Sequence, residues 1–313
     1  MTIAFVFPGQ GSQAVGMGRD LAEAFPAARH VFEEVDEALG QSLSRLMFEG
    51  PEDELTLTEN AQPALMAVSM AVMATLKAEG GYELGARAAF VAGHSLGEYS
   101  ALAAAGTFAL GDAARLLKTR GQAMQGAVPV GEGAMAAVLG LDLDPVRAIA
   151  EQAADGAVCA VANDNASGQV VVSGAKAAVE RAIELAKEAG AKRSVLLPVS
   201  APFHCSLMAP AADVMAGALA EVNMAAPAVP LVANVTAEAV TEAGRIRALL
   251  VEQVTGMVRW RESVLYMKDQ GVTNLVEAGA GKVLSGLARR IDKDLSAVSI
   301  GAPADIETFL KSV

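Results

Sequence analysis

Residues 91–106 read VAGHSLGEYSALAAAG, and this stretch decides the fold. Small and apolar residues run into Gly93-His94-Ser95-Leu96-Gly97, and an Ala-rich segment follows. The pattern is G-x-S-x-G, set where a strand gives way to a helix. On such an elbow the serine takes strained backbone angles and its hydroxyl stands exposed at the helix N-terminus. Glycines flank it because a Cβ would clash in so tight a turn. The peptide N–H of Leu96 then faces a developing oxyanion. Ser95 is therefore the candidate nucleophile, and a strand–elbow–helix unit is the local fold.

Working outward, strands and helices alternate. IAFVFPGQG near the N-terminus reads as a buried strand ending in a turn. DLAEAFPAARHVFEEVDEAL has helical spacing, interrupted at Pro26. ENAQPALMAVSMAVMATLKAEG is a helix stopped at Gly80 and Gly81. AAFVAGHS is a second strand, and LGDAARLLKTRGQAMQGA a further helix. This alternation predicts an α/β fold with a mainly parallel sheet.

The texture changes near Val128. GAMAAVLGL, DPVRAIAEQAA, AVCAVAND, GQVVVSG, AKAAVERAIELAKEAG and AKRSVLLPV read in turn as strand, helix, two strands joined by a NASG turn, helix and strand. That order, βαββαβ, is the ferredoxin-like unit. It predicts a small domain at 128–198 inserted into a large domain made of 1–127 and 199–313. PLVANVT, RIRALLVEQV, WRESVLYMKDQG and NLVEAG resume the larger pattern. A cleft between the two parts is the default ligand site.

Composition bounds the function. The chain has 313 residues, 53% hydrophobic and 19% charged, enough for a sizeable core. Aromatics are only 4%, so Ala, Val, Leu and Met must fill it. A formal net charge of -12 argues against nucleic acid and anionic membranes as partners. The N-terminal MTIAFVFPGQGSQ has no basic n-region, and the apolar run at 64–76 is too short to span a bilayer and reads as a buried helix. Two cysteines, Cys159 and Cys205, lack metal-ligand spacing. They predict a reduced, cytoplasmic setting and no metal site. Nothing calls for an oligomer, and a monomer is expected.

A nucleophilic serine needs a base, and there are three histidines. His30 lies on a charged amphipathic helix and reads as solvated. His94 adjoins Ser95, and neighbours on a sharp turn point apart. His204, in PVSAPFHCSLM, follows a strand in a proline-bounded loop, so it is the candidate base. Cys205 is a weaker nucleophile candidate, because a neighbour of the base seldom shares its direction. For an orienting acid only Asp164 stands out. A Ser–His dyad, held by an amide or a backbone carbonyl, is the alternative. Gly9-x-Gly11-x-x-Ala14 imitates a dinucleotide fingerprint, but no acid follows at the end of a second strand. The loop reads instead as one that brings the backbone of Gln10 to Ser95 as a second oxyanion donor.

Together FPGQGSQ, GHSLGEYSAL, RGQAMQ, SAPFHCSLM and VRWRESV, in that order, resemble the malonyl-CoA:acyl carrier protein transacylases of fatty acid synthesis. They are similar as well to the acyltransferase domains of polyketide synthases. The resemblance covers nearly the whole chain. It implies an α/β-hydrolase-like large domain with an inserted ferredoxin-like domain. It implies malonyl-CoA and acyl carrier protein as partners, and no cofactor. By position it makes Ser95 the residue malonylated, His204 the base, and Gln10 and Leu96 the oxyanion donors. Arg120 would bind the malonyl carboxylate, Gln253 would orient His204, and Asn163 would lie near the site. Phe203, before the base, resembles the malonyl-preferring form and leaves little room for an α-methyl group. Carriers of this pathway are acidic, so a basic cluster is expected to receive them: Lys187, Lys192 and Arg193, or Lys282, Arg289 and Arg290. The competing readings are a serine esterase or thioesterase of similar fold, a polyketide-pathway acyltransferase, and a non-catalytic acyl-CoA-binding protein.

Overall fold

The computed structural model describes residues 2–199 and 201–312; Met1, Ser200 and Val313 lie outside the described residues. Strand β1 (Ile3–Phe7) is apolar throughout and buried at every position, as a strand covered on both faces must be. β2 (Ala88–Gly93) pairs with it in parallel, and the register Phe7↔Gly93 brings their C-terminal ends together. Between them lie Arg19–Ala24 and Pro26–Leu39, two helices split at Phe25 because Pro26 opens the second. The Thr58–Gly80 helix is long and apolar enough to cross a membrane, but 78% of its apolar window is buried inside the protein. It is the central core helix, as the sequence suggests. Gly97–Ala104 and Leu110–Gly126 pack beside it.

The next four strands form a separate antiparallel sheet. They are β3 (Gly133–Leu139), β4 (Cys159–Ala166), β5 (Gln169–Ala175) and β6 (Arg193–Leu196), in the order β4-β5-β3-β6. Helices Leu143–Ala154 and Lys176–Glu188 cover it around a core of its own that includes Val138, Val146, Val172 and Val179. Two boundaries differ from the sequence reading. β4 continues through Ala166, so the turn tightens to Ser167-Gly168, with Gly168 at φ 68° as a two-residue hairpin turn requires. β6 stops at Leu196, ahead of Pro198, which has no N–H for a ladder. Leu197–Val199 turn toward the cleft instead.

β7 (Leu231–Val232), β8 (Ala239–Val240), β9 (Asn274–Ala278) and β10 (Ser296–Ile300) complete the large sheet in the order β10-β9-β1-β2-β7-β8. Its pairings are parallel except β7 with β8. β8 and β10 are not anticipated by the sequence reading, and PLVANVT shrinks to a two-residue strand. Strand β4 is tied by main-chain bonds to the segment ahead of the Trp260–Asp269 helix: Val258 N–H donates to Ala162 O (2.8 Å) and Asp164 N–H to Val258 O (3.0 Å). That seam carries Asn163 to the edge of the cleft.

Candidate active site

The elbow forms where β1 and β2 end together. His94 N–H donates to Phe7 O at 3.0 Å. Ser95 sits at φ 53°, a strained value for a residue with a Cβ. Its neighbours are glycines because the chain folds back on itself. A Cβ on Gly93 would lie 1.9 Å from the Gly97 carbonyl, and one on Gly97 would lie 2.2 Å from Phe7 O. The Gly97–Ala104 helix starts just beyond Leu96, so Ser95 stands at its N-terminus.

His204 comes from the loop after β6. It is buried, at φ 58°, with Nε2 2.8 Å from Ser95 Oγ. Its Nδ1 lies 2.9 Å from the backbone carbonyl of Gln253. A carbonyl only accepts, so Nδ1 carries the proton and Nε2 presents a lone pair to the serine hydroxyl. Burial, and after it the charge of Arg120, push the imidazole down to about 3. His204 is therefore the neutral form that a general base requires. Asp164, the acid suggested by the sequence, is paired with Arg261 at 2.9 Å and does not serve His204. Gln253 reaches the base through its main chain, not its side chain.

Arg120 projects from the Leu110–Gly126 helix and is 1% exposed. Nη1 donates to Gln62 Oε1 (2.7 Å), and Nη2 to Gln253 Oε1 (2.9 Å) and Ser95 Oγ (3.1 Å). Its carbon lies 5.7 Å from the centre of the Tyr99 ring. No carboxylate among the described residues hydrogen-bonds it, and its Nε has no partner. A buried guanidinium held by neutral acceptors is poised for an anion.

Further residues build the site. Asn234 Oδ1 accepts from Ser95 N–H (2.8 Å), and its Nδ2 donates to Gly93 O (2.7 Å). Glu98 Oε2 accepts from Asn234 N–H and from Gln253 Nε2, both at 3.0 Å. Burial pushes the Glu98 carboxyl up to about 7. His94 Nε2 lies 2.8 Å from Asn165 Oδ1, and the ring packs against Trp260. Sequence reading missed Asn234, Glu98 and Gln62. The available signal was a polar residue stranded in an apolar segment: Glu98 in LGEYSALAAAG, Gln62 in AQPALMAV.

All these meet in a cleft of about 370 Å³. Gln10, Ser95, Leu96, Arg120, Asn163, Phe203 and His204 line it, with Gln253 behind. Met124, Met135 and Leu197 add an apolar wall. Gly9 packs on the elbow, where an added Cβ would lie 2.7 Å from His94 O, which seats Gln10 beside Ser95. Cys205 turns away and donates to Pro202 O (3.2 Å), and His30 is exposed and paired with Glu33. Lys282 immediately precedes the Val283–Ile291 helix and follows Gly281, which approaches Ser12, while Lys187, Lys192 and Arg193 lie on the antiparallel-sheet part. Among the described residues no group of acidic, histidine and cysteine side chains is placed to hold a metal ion.

Residues 4–294 match the family described as acyl transferase domain, so the class is that of the acyltransferases. The chain is 48% identical over 308 residues to the malonyl CoA-acyl carrier protein transacylase of Escherichia coli, covering 98% of each. An acyl-carrier-protein-S-malonyltransferase from Bartonella henselae superposes with a TM-score of 0.98 at 58% identity, covering 100% of this chain and 99% of that one. A malonyl-transacylase solved in complex with its type II PKS acyl-carrier protein superposes at 0.97 with 44% identity, covering 100% of both chains. This chain belongs to the malonyl CoA-acyl carrier protein transacylase family.

Proposed function

We propose that this enzyme transfers malonyl from malonyl-CoA to the phosphopantetheine thiol of acyl carrier protein through a malonyl-Ser95 ester, supplying extender units for fatty acid synthesis. The observation that carries this reading is Arg120: a buried guanidinium 3.1 Å from the nucleophile with only neutral partners. An esterase of neutral acyl groups has no use for it. In the first half-reaction Ser95 Oγ attacks the thioester carbonyl and its proton passes to His204 Nε2. The backbone N–H groups of Gln10 and Leu96 hold the oxyanion. The C–S bond breaks and the CoA sulfur takes the proton from His204. In the second, the carrier thiol gives its proton to His204 and attacks the ester, and Ser95 Oγ recovers the proton.

The malonyl carboxylate pairs with Arg120 and so cancels one of the two main causes holding His204 down. The base thus gains strength as the correct substrate seats. Phe203 crowds the acyl α-carbon, and Asn163 closes the cleft from the second sheet. Exchange of one thioester for another is nearly balanced, so the reaction asks for no cofactor. We read residues 1–127 with 199–313 as an α/β-hydrolase-like domain and 128–198 as an inserted ferredoxin-like domain, a reading that the separate antiparallel sheet supports. Intact mass after incubation with malonyl-CoA tests the proposal. One malonyl group should appear, leave on addition of holo carrier protein, and be absent in Ser95→Ala. Release as free malonate at the rate of transfer would favour a thioesterase.

A further inference from the structure

Glu98 is a buried ionisable group that the transfer steps leave without a task. Its Oε2 takes both of its hydrogen bonds, from Asn234 N–H and Gln253 Nε2, while Oε1 is buried without a partner. Gln253 Nε2 faces two more acceptors, Ser95 O at 2.9 Å and Asn234 Oδ1 at 3.3 Å. An amide that turns its nitrogen to one side must turn its oxygen to the other. On that other side Arg120 Nη2 donates to Oε1 at 2.9 Å.

We infer that Glu98 is a positioning residue for acyl selection: its Oε2 fixes the facing of the Gln253 amide, which holds the Arg120 guanidinium ready for the substrate carboxylate. The inference rests on the malonyl-transfer reading. Without the carboxyl oxygen, Nε2 keeps only Ser95 O and Asn234 Oδ1 as acceptors, and the amide is less firmly held against turning over. Its NH₂ would then meet the guanidinium, donor against donor, and Arg120 would lose one of its three acceptors. His204 would be spared, because the Gln253 main chain orients it. The damage should therefore fall on acyl groups that bear a carboxylate. The hydrogen bond matters here, not the charge. With the carboxyl pushed up to about 7, the neutral form is well populated near neutrality, and Oε1 can hold the proton while Oε2 still accepts.

Two variants separate bond from charge. Glu98→Gln keeps the reach and loses the charge: its amide oxygen replaces Oε2 and its NH₂ takes the unpartnered position. Glu98→Asp keeps the charge and falls a methylene short. The readout is the ratio of malonyl to acetyl transfer into one holo carrier protein, which is independent of the folded fraction. Glu98→Gln should hold the ratio within about threefold of the parent, and Glu98→Asp should lower it by about tenfold or more, mostly through the KM for malonyl-CoA. A ratio that falls in Glu98→Gln, or that stands in Glu98→Asp, overturns the inference. The parent enzyme is the control for the underlying reading: if it takes no malonyl from malonyl-CoA, that reading fails and the inference with it. If it does, the variants judge Glu98 alone.

Discussion

His204 Nδ1 lies 2.9 Å from the main-chain carbonyl of Gln253, so the backbone, not a carboxylate, fixes the tautomer of the base. Substitution of Gln253 leaves that carbonyl in place. Removal of the imidazole does not spare the reaction, and general base catalysis is worth about 10²- to 10⁴-fold. His204→Ala should slow acylation by both malonyl-CoA and acetyl-CoA by about that range. Gln253→Ala should slow acetyl transfer by no more than about tenfold. Burst kinetics per folded site measure both, and equal losses in the two variants would show that the Gln253 side chain itself orients the base.

On the proposed reading, Arg120 is the group that tells malonyl from acetyl. Removing one partner of a buried pair costs roughly 3–5 kcal/mol. Arg120→Ala should therefore lose at least about 10²-fold in kcat/KM for malonyl-CoA, with acetyl transfer spared or improved. Arg120→Lys should not restore malonyl transfer, since an ammonium lacks the planar fork that two parallel bonds need. Malonyl and acetyl rates falling together would make Arg120 structural.

The depressed His204 makes a statement about stability. In the unfolded chain the imidazole protonates near its ordinary value of about 6.5. In the folded protein it resists protonation down to about 3. Between those values the unfolded state binds the extra proton, so stability contributed by this group is full above about 6.5 and falls as pH drops. At pH 5 the loss is about 2 kcal/mol. His204→Ala lacks this proton linkage. Denaturant titrations at pH 7 and pH 5 should show the variant losing less stability than the parent across that step, and parallel losses would contradict a buried neutral imidazole.

The two elbow glycines leave no space. The Cβ of Gly93→Ala would sit 1.9 Å from the Gly97 carbonyl. Overpacking in a core costs about 1–3 kcal/mol when neighbours can shift, and here the neighbour is backbone at a strained turn. Gly93→Ala should cost about 3 kcal/mol or more and abolish acylation, whereas alanine at Gly126, where an added Cβ meets nothing within 4 Å, should leave the melting temperature within a few degrees.

The protein carries -12, so docking of the acidic carrier that the family resemblance implies would call for local positive charge. Lys282 follows Gly281, which approaches Ser12 beside the cleft-lining Gly11 and Gln13, and Arg290, in the helix that Lys282 precedes, donates to Gln169. Lys282→Glu combined with Arg290→Glu should raise the KM for carrier protein by about threefold or more, and more than that for malonyl-CoA. Unchanged values for both substrates would move the docking surface to Lys187, Lys192 and Arg193.

The sequence by itself determined a great deal here. Hydrophobic runs such as IAFVF and the Ala-rich segment after Ser95 are local patterns, and they fixed the core strands, the central helix and the elbow. G-x-S-x-G is a local pattern, although only Gly93 answers a clash four residues away, and Gly97 answers one with Phe7 on the neighbouring strand. Elimination among three histidines singled out His204, whose Nε2 the fold places 2.8 Å from Ser95 Oγ across 109 positions of chain. Short edge strands were illegible. β8 has two residues, and pairing across a sheet, not propensity, is what makes it a strand.

What only the tertiary structure decided is how charge and hydrogen bonds are shared. Asp164 looks like a triad acid until Arg261, 97 positions away, takes it. Gln253 matters twice, through a carbonyl for His204 and an amide for Arg120, and no spacing rule separates main chain from side chain. Glu98, Asn234 and Gln62 come from three distant elements, and their roles exist only where those elements converge. A hydrogen bond depends on ångström distances between groups remote in the chain. The sequence therefore supplies residue types able to do such chemistry, and the fold decides which atom of each one faces the site.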